Sequence, residues 1–187
     1  MQTDVMFAGF GGQGVMLIGQ MLAYAGMSEG KNVVWLPSYG PEMRGGTAYC
    51  SVVIADRAIA SPIIEHPSTI AVLNRPSLDK FATKVKVQGF LIINTSLIDA
   101  TSDRTDIVQV LVPANQIALE AGTGKAANMA ILGAYIGCTQ AVSMDAIRAV
   151  VQKQLAKKPQ FIEVNMRVLE RGFALGQAGS QESGAGA

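Results

Sequence analysis

A glycine-rich segment near the amino terminus carries the spacing that most clearly predicts chemistry. The segment reads Gly9-Phe10-Gly11-Gly12-Gln13-Gly14 and contains the Gly-x-Gly-x-x-Gly pattern. Glycines allow the backbone to turn tightly and to approach a phosphate, while the helix that follows offers free N–H groups and the positive end of its dipole. The segment therefore predicts a site for a phosphate-bearing ligand. The alternative is a tight turn that serves only the packing of a helix on a sheet.

Dinucleotide-binding proteins share this glycine spacing, and they also place an acidic residue at the end of the second strand to hold the ribose hydroxyls. Here Leu36-Pro37-Ser38 occupies that end, and the nearest acid, Glu42, lies within the loop that follows. The sequence therefore disfavours NAD or FAD binding, and with it a free-standing nucleotide-binding oxidoreductase.

A second candidate segment runs from residue 37 to residue 47 and contains Arg44-Gly45-Gly46-Thr47. A guanidinium fork beside exposed backbone N–H groups suits a phosphate or a carboxylate, although a solvated arginine in a turn is the simpler alternative. The segment follows a strand that should end at the same edge of the sheet as the glycine segment. We predict that both segments form one site, comprising Gly9, Gly11, Gly12, Gln13, Gly14, Arg44, Gly45, Gly46 and Thr47.

Other candidate motifs lack the residues that their chemistry needs. Gly122-Thr123-Gly124-Lys125 does not match a P-loop, because Leu119 stands where that motif requires its first glycine. His66 is the single histidine and has no metal-ligand partners at the right spacing, so no metal site is predicted. Cys50 and Cys138 lie far from a Cys-x-x-Cys spacing and are predicted to be reduced, buried and inert. No nucleophile with a base at supporting spacing is found, so no catalytic residue is predicted in this chain.

Composition limits the class of protein. The 187 residues suit one domain; 49% are hydrophobic and 16% charged, which excludes a disordered chain. The net charge of +1 predicts no binding to nucleic acid or to an anionic membrane. No apolar stretch reaches the ~20 residues of a membrane span and no basic amino-terminal region indicates secretion, so we expect a cytoplasmic protein. The mean hydropathy of +0.29 then predicts apolar surface that is covered by other subunits.

Alternating strands and helices predict a three-layer α/β/α domain with a mostly parallel, mixed sheet and a local antiparallel hairpin. The hairpin is expected between strands at 47–54 and 58–61, and the other strands at 3–8, 32–36, 69–73, 89–94 and 107–112. Helices are expected at 15–29, 75–82, 114–120, 127–140, 144–155 and 163–177, with Asn74 capping the second of them. The domain is predicted over 1–177, and the low-complexity residues 178–187 are predicted to be a disordered tail.

Several ordered motifs together resemble the gamma subunit of 2-oxoacid:ferredoxin oxidoreductases. They are the glycine segment, residues 37–48, Ser61-Pro62, the Leu73–Phe81 segment, Ala127-Asn128-Met129-x-x-Leu132-Gly133-Ala134 and the helix from Asn165 to Gly172. The resemblance covers residues 3 to about 175. It implies a complex that oxidatively decarboxylates a 2-oxoacid with coenzyme A to acyl-CoA, carbon dioxide and reduced ferredoxin. It also implies that the gamma chain takes part in binding coenzyme A, and that it is inactive alone.

The resemblance implies that thiamine diphosphate and iron–sulfur clusters reside in partner subunits, with no cofactor covalently bound to this chain. The implied partners are alpha and beta subunits, a delta subunit where one is present, and ferredoxin as the electron acceptor. The sequence of residues 39–44 is most similar to that of the 2-oxoglutarate and 2-oxoisovalerate members of the family, and we predict 2-oxoglutarate as the substrate. Two alternatives are a structural scaffold subunit without ligand contacts and the small subunit of an indolepyruvate ferredoxin oxidoreductase.

Overall fold

The structure, a computed structural model, describes residues 1–38 and 47–184. Within these ranges six strands form one sheet: β1 (Gln2–Phe10), β2 (Asn32–Ser38), β3 (Thr47–Ala55), β4 (Thr69–Val72), β5 (Phe90–Asn94) and β6 (Val108–Val112). The same ranges contain six α-helices: α1 (Val15–Ser28), α2 (Arg75–Phe81), α3 (Ala114–Glu120), α4 (Ala127–Thr139), α5 (Met144–Gln154) and α6 (Ile162–Gly184). Among these helices, none combines the length and apolar character needed to cross a membrane.

The sheet is mixed, and its strand order is β2-β3-β1-β4-β5-β6. Strands β1, β4, β5 and β6 run parallel to one another, whereas β3 pairs antiparallel with both β1 and β2. Because β2 is antiparallel to β3, it runs in the same direction as β1. The carboxyl ends of five strands therefore meet at one edge of the sheet, and the predicted α/β class with a mostly parallel, mixed sheet is confirmed.

The antiparallel hairpin lies elsewhere than predicted. Residues 58–61 form no strand, and β3 instead lies between β1 and β2, with Cys50 opposite Phe7 and Val52 opposite Trp35. Successive β3 residues Val52 and Val53 are 0% and 1% exposed, so the strand is buried on both faces. A strand that is buried on both faces belongs inside a sheet, where it has a partner on each side.

Strand β2 extends beyond the predicted range 32–36, through Pro37 to Ser38. Pro37 pairs in register with Cys50 of β3. Strand β2 is the edge of the sheet, where a residue without an N–H group can be tolerated because one side of the strand has no neighbour to bond.

Helices cover both faces of the sheet, but unequally. Along β1, Val5 and Phe7 belong to the core beneath α1, α3, α4, α5 and α6, whereas Met6 and Ala8 belong to a smaller core beneath α2. This alternation follows the two-residue period of a strand. In the smaller core, the rings of Tyr49 and Phe81 meet edge to face, with centroids 5.3 Å apart. The result is three layers with most of the helical mass on one side.

Helix α6 lies directly against the backbone of α4. A Cβ atom on Gly133 would collide with the carbonyl oxygen of Leu169, and one on Gly176 would collide with that of Ala134. Only residues without a Cβ permit such close approach of two helices. Tertiary packing also explains the length of α6: it continues to Gly184 and so takes in residues 178–184 of the segment predicted as a disordered tail. Gly179 lies against Val110 of β6, since a Cβ there would be 3.0 Å from the Val110 side chain.

Candidate functional site

The glycine turn, residues 11–14, connects the end of β1 to the start of α1. Gly12 has φ +93° and Gly14 has φ +78°, which are left-handed conformations that favour glycine. Gly14 is the N-cap of α1, and no side chain of the described residues caps the first N–H groups of the helix. Within residues 1–38 and 47–184, no atom lies within 4 Å of the position that a Cβ on Gly12 would take. These residues therefore leave the backbone of the turn uncovered.

The Gln13 side chain holds this turn in place. Its Oε1 accepts a hydrogen bond from the Phe10 N–H at 2.6 Å, and its Nε2 donates to the Leu73 carbonyl at 3.2 Å. The Asn74 amide also donates to Gln13 Oε1, at 3.3 Å. These bonds connect the turn after β1 to the end of β4, so the Gln13 side chain has a positioning role.

Asparagine 74 also performs its predicted role as a helix cap. Its Oδ1 accepts a hydrogen bond from the Ser77 N–H at 2.9 Å, at the start of α2. Because the same side chain contacts Gln13, the cap of α2 and the glycine turn are parts of one network.

A third element reaches the turn from α4. The Asn128 side chain is 6% exposed, and its Nδ2 donates to the Gly14 carbonyl at 3.3 Å. A Cβ on Gly14 would collide with the same amide group. The close approach of α4 thus requires glycine at position 14, in addition to the requirement set by its φ angle.

A cavity of about 390 Å³ opens beside the glycine turn. It lies at the carboxyl ends of β4 and β5, an edge at which α/β proteins place ligands. Within the described part of the chain its walls combine backbone from the turn with apolar and polar side chains and no carboxylate. These wall residues are Gly12, Gln13, Leu73, Asn94, Asn115, Gly124, Lys125, Ala127 and Asn128.

Four polar residues of this cavity were not predicted as site residues: Asn94, Asn115, Lys125 and Asn128. Asn94 ends β5, and its Nδ2 donates to Asn115 Oδ1 at 2.9 Å while its Oδ1 accepts from the Ala114 N–H at 3.2 Å. A polar residue that ends an apolar strand was the available signal for Asn94. Lys125 belongs to the segment that sequence analysis set aside because it does not match a P-loop.

The second predicted segment returns to the same edge of the sheet. Strand β2 ends at Ser38, and β3 begins at Thr47, whose Cα pairs with that of Phe10. Both ends of this loop therefore lie at the edge of the sheet where the glycine turn lies, as predicted, and the Thr47 end lies next to Phe10. Arg44, Gly45 and Gly46 lie outside the described residues, so their contact with a ligand stays a prediction, as does that of Thr47.

The two thiols have environments that suppress their reactivity. Cys50 is fully buried under the start of α1, where its Sγ donates to the Val15 carbonyl at 3.3 Å. Burial raises the pKa of Cys50 to about 12, and burial likewise raises the pKa of the partly buried Cys138 to about 12. Since the thiolate is the reactive form, both groups are inert near neutral pH.

Comparisons with known proteins match nearly the whole chain. The family model described as pyruvate ferredoxin/flavodoxin oxidoreductase matches residues 4–175. The ketoisovalerate oxidoreductase subunit VorA of Methanothermobacter marburgensis is 41% identical over 173 residues, which cover 91% of this chain and 36% of the relative. The chain therefore spans about a third of the length of that relative.

Two further matches have nearly the same length as this chain. The 2-oxoglutarate synthase subunit KorC of the same organism is 31% identical over 183 residues, covering 94% of this chain and 97% of the relative. The crystal structure of a keto/oxoacid ferredoxin oxidoreductase gamma subunit from Geobacter sulfurreducens superposes with a TM-score of 0.82 at 28% identity, covering 94% of this chain and 99% of the other.

Proposed function

The chain belongs to the pyruvate ferredoxin/flavodoxin oxidoreductase family, and we propose that it is the gamma subunit of a 2-oxoacid:ferredoxin oxidoreductase. In the proposed reaction a 2-oxoacid loses carbon dioxide, its acyl carbon forms a thioester bond with the sulfur of coenzyme A, and the released electrons pass to ferredoxin. The likeness over nearly full length to KorC and to the Geobacter gamma subunit supports this role.

Thiamine diphosphate and iron–sulfur clusters, held by alpha and beta partner subunits, supply the decarboxylation and electron-transfer chemistry in this proposal. The proposed role of this chain is to bind the phosphate groups of coenzyme A and to complete the assembly of the multi-subunit complex. The isolated chain is accordingly expected to be inactive.

The observation that carries the coenzyme A proposal is the open glycine turn at the carboxyl edge of the sheet. In the part of the chain that the structure describes, nothing covers Gly12, and no side chain caps the first N–H groups of α1. Phosphate groups bind at such helix starts because free N–H groups and the helix dipole both favour negative charge. We assign the phosphate contacts to the turn, at Gly11, Gly12 and Gly14, with the Gln13 side chain positioning them. Gly9 is a buried residue of β1 that precedes the turn.

The turn is held in its shape before any ligand binds. Gln13 ties it to the end of β4, and Asn128 ties Gly14 to α4. A site that needs no rearrangement loses less conformational entropy on binding. We propose that the loop containing Arg44, Gly45 and Gly46 supplies further contacts to the phosphate groups. The pairing of Thr47 with Phe10 supports this proposal.

We propose 2-oxoglutarate as the substrate. The sequence of residues 39–44 and the match to KorC over 97% of its length support this proposal. The 41% identity to VorA makes a branched-chain acid, 2-oxoisovalerate, the second candidate. A comparison of kcat/KM for the two acids, made with the complex purified from the native host, decides between them.

Affinity purification of the tagged chain from its native host tests the subunit role. The expected result is recovery of a thiamine-dependent partner that reduces a viologen dye in the presence of a 2-oxoacid and coenzyme A. Recovery of the chain alone, or turnover by the purified chain without partners, contradicts the proposal.

A further inference from the structure

We infer that the cavity beside the glycine turn binds an anionic, phosphorylated part of the ligand and that Lys125 is its charged contact. The inference rests on the proposed function, since it assigns to the coenzyme A site a lysine that lies outside both predicted segments. It also extends the site from the turn toward the ends of β4 and β5.

Hydrogen bonds fix two asparagine side chains in the cavity wall. Asn94 is 1% exposed and bonded on both sides of its amide, to Asn115 and to the Ala114 N–H. These bonds hold the Asn115 side chain against the end of β5. A volume of about 390 Å³ falls within the ~300–1,000 Å³ typical of small-molecule sites, so the space admits more than a bare ion.

Lys125 brings a positive charge that no described carboxylate neutralises. It lies in the loop between α3 and α4, where its N–H donates to Thr123 Oγ1 at 3.2 Å. Glu120, the acid nearest to it in the sequence, is engaged by Arg171 at 2.7 Å and by Gln116 at 2.9 Å. Since the described residues of the lining include a lysine and no acid, they favour an anion in the cavity.

Asn128 adds a hydrogen-bond acceptor to the cavity wall, in addition to the Lys125 cation. Its Nδ2 is occupied by the Gly14 carbonyl, and no donor in the described part of the chain reaches its Oδ1. The cavity therefore offers a nearly buried acceptor together with a cation. A phosphate ester that also carries a hydroxyl or amide donor satisfies both groups.

Gly12 connects this cavity to the proposed site, because it belongs to the glycine turn and also lines the cavity. A single ligand can then contact backbone N–H groups on one side and the Lys125 ammonium on the other.

The test measures KM for coenzyme A in the assembled complex with Lys125→Ala, Lys125→Arg and the control Lys157→Ala, another exposed lysine. Lys125→Ala is expected to raise this KM about tenfold and to weaken its dependence on salt, with kcat and the KM for the 2-oxoacid unchanged. Lys125→Arg keeps the charge and should recover most of the loss, while Lys157→Ala should change nothing.

The outcomes separate the inference from the proposed function. If Arg44→Ala raises the KM for coenzyme A and Lys125→Ala does not, the inference is wrong and the proposed site stands. If neither variant changes that KM in an assembled complex, both are wrong. A rise in the KM for every substrate together, accompanied by loss of assembly, also overturns the inference because it assigns Lys125 a structural role.

Discussion

The Asn128 side chain donates a hydrogen bond to the carbonyl oxygen of Gly14, 114 residues earlier in the chain, at a distance of 3.3 Å. This bond joins the amino end of α4 to the turn that opens α1. A Cβ on Gly14 would strike the same amide. The position of the Asn128 side chain therefore requires a glycine at position 14, and the geometry of the turn depends on how α4 packs against it.

Gly14→Ala should destabilise the folded chain by more than its backbone angle alone requires. An alanine at φ +78° is strained, and its methyl group would displace Asn128. Gly30→Ala is the matched control, because Gly30 has φ +73° with no atom within 4 Å of its would-be Cβ. Urea unfolding should show a loss of about 1 kcal/mol for the control and of about 2–4 kcal/mol for Gly14→Ala.

A second variant tests the collision directly. Asn128→Ala removes the amide that the new methyl group would meet, so the double variant with Gly14→Ala should lose less stability than the two single losses added together. Equal losses for Gly14→Ala and Gly30→Ala would show that the approach of α4 sets no requirement at position 14.

Arg44→Ala should raise the apparent KM for coenzyme A by about 10- to 100-fold in the intact complex, because charge-assisted contacts contribute about 1.5–3 kcal/mol. The KM for the 2-oxoacid should change little, since decarboxylation precedes acyl transfer. Arg57→Ala, an exposed arginine in the segment after β3, serves as the control in the same steady-state assay.

The scaffold alternative makes the opposite prediction for Arg44→Ala. If the loops only pack against other subunits, the variant should impair assembly and weaken every substrate together. An unchanged KM for coenzyme A in a fully assembled enzyme would remove Arg44 from the site and leave the family membership intact.

Local signals in the sequence predicted local structure well. Asn74 followed by Arg75-Pro76 predicted a capped helix, and the Oδ1 of Asn74 does accept from Ser77. The two halves of such a cap lie three residues apart, so the information is present in a short segment. The position of the glycine turn between β1 and α1 followed from the same kind of signal.

Pairings between distant segments were harder to predict. The apolar pattern of β3 predicts a strand, but it does not specify which strands flank it, and the predicted partner at 58–61 was wrong. Lys125 reaches the cavity because α3 and α4 bring their connecting loop to the end of β5. A motif depends on spacing along the chain, whereas the position of Lys125 at the cavity depends on the fold. The spacing around Lys125 therefore did not predict it as a site residue.

Buried thiols should make the folded chain less stable in alkali. The pKa of Cys50 rises from 9.0 to about 12 on burial, as does that of Cys138. Between these values the thiols ionise in the unfolded chain and stay neutral in the folded one, so the free energy of unfolding falls as pH rises. Replacement of both cysteines by alanine should flatten this decline relative to the unmodified chain in urea unfolding at several pH values.

The same double variant tests whether either thiol takes part in chemistry. Its stability near neutral pH should fall somewhat, because truncation of Cys50 leaves a small cavity in the core. The assembled complex should retain its kcat, and the thiols of the unmodified folded chain should resist iodoacetamide near neutral pH. A well-folded, assembled double variant without activity would reveal a functional thiol.

At Gly133 of helix α4, helix propensity and tertiary packing predict opposite effects of an alanine substitution on the free energy of unfolding. Gly133 lies in the middle of the helix, where alanine normally stabilises by about 1 kcal/mol relative to glycine. Here the added methyl group would collide with the Leu169 carbonyl oxygen of α6, which is backbone and cannot rotate away. Gly133→Ala should therefore reduce the free energy of unfolding by about 2–4 kcal/mol, through separation of α4 from α6.

The displacement should also reach the glycine turn, because Asn128 lies on the same helix, before Gly133, and holds Gly14. In the assembled complex we expect Gly133→Ala to raise the KM for coenzyme A although no described atom of Gly133 lines the cavity. A stabilised variant with an unchanged KM would mean that α4 and α6 do not approach as closely as the structure indicates. Hydrogen exchange of the α6 amides provides an independent measure, since loosened packing should accelerate it in this variant.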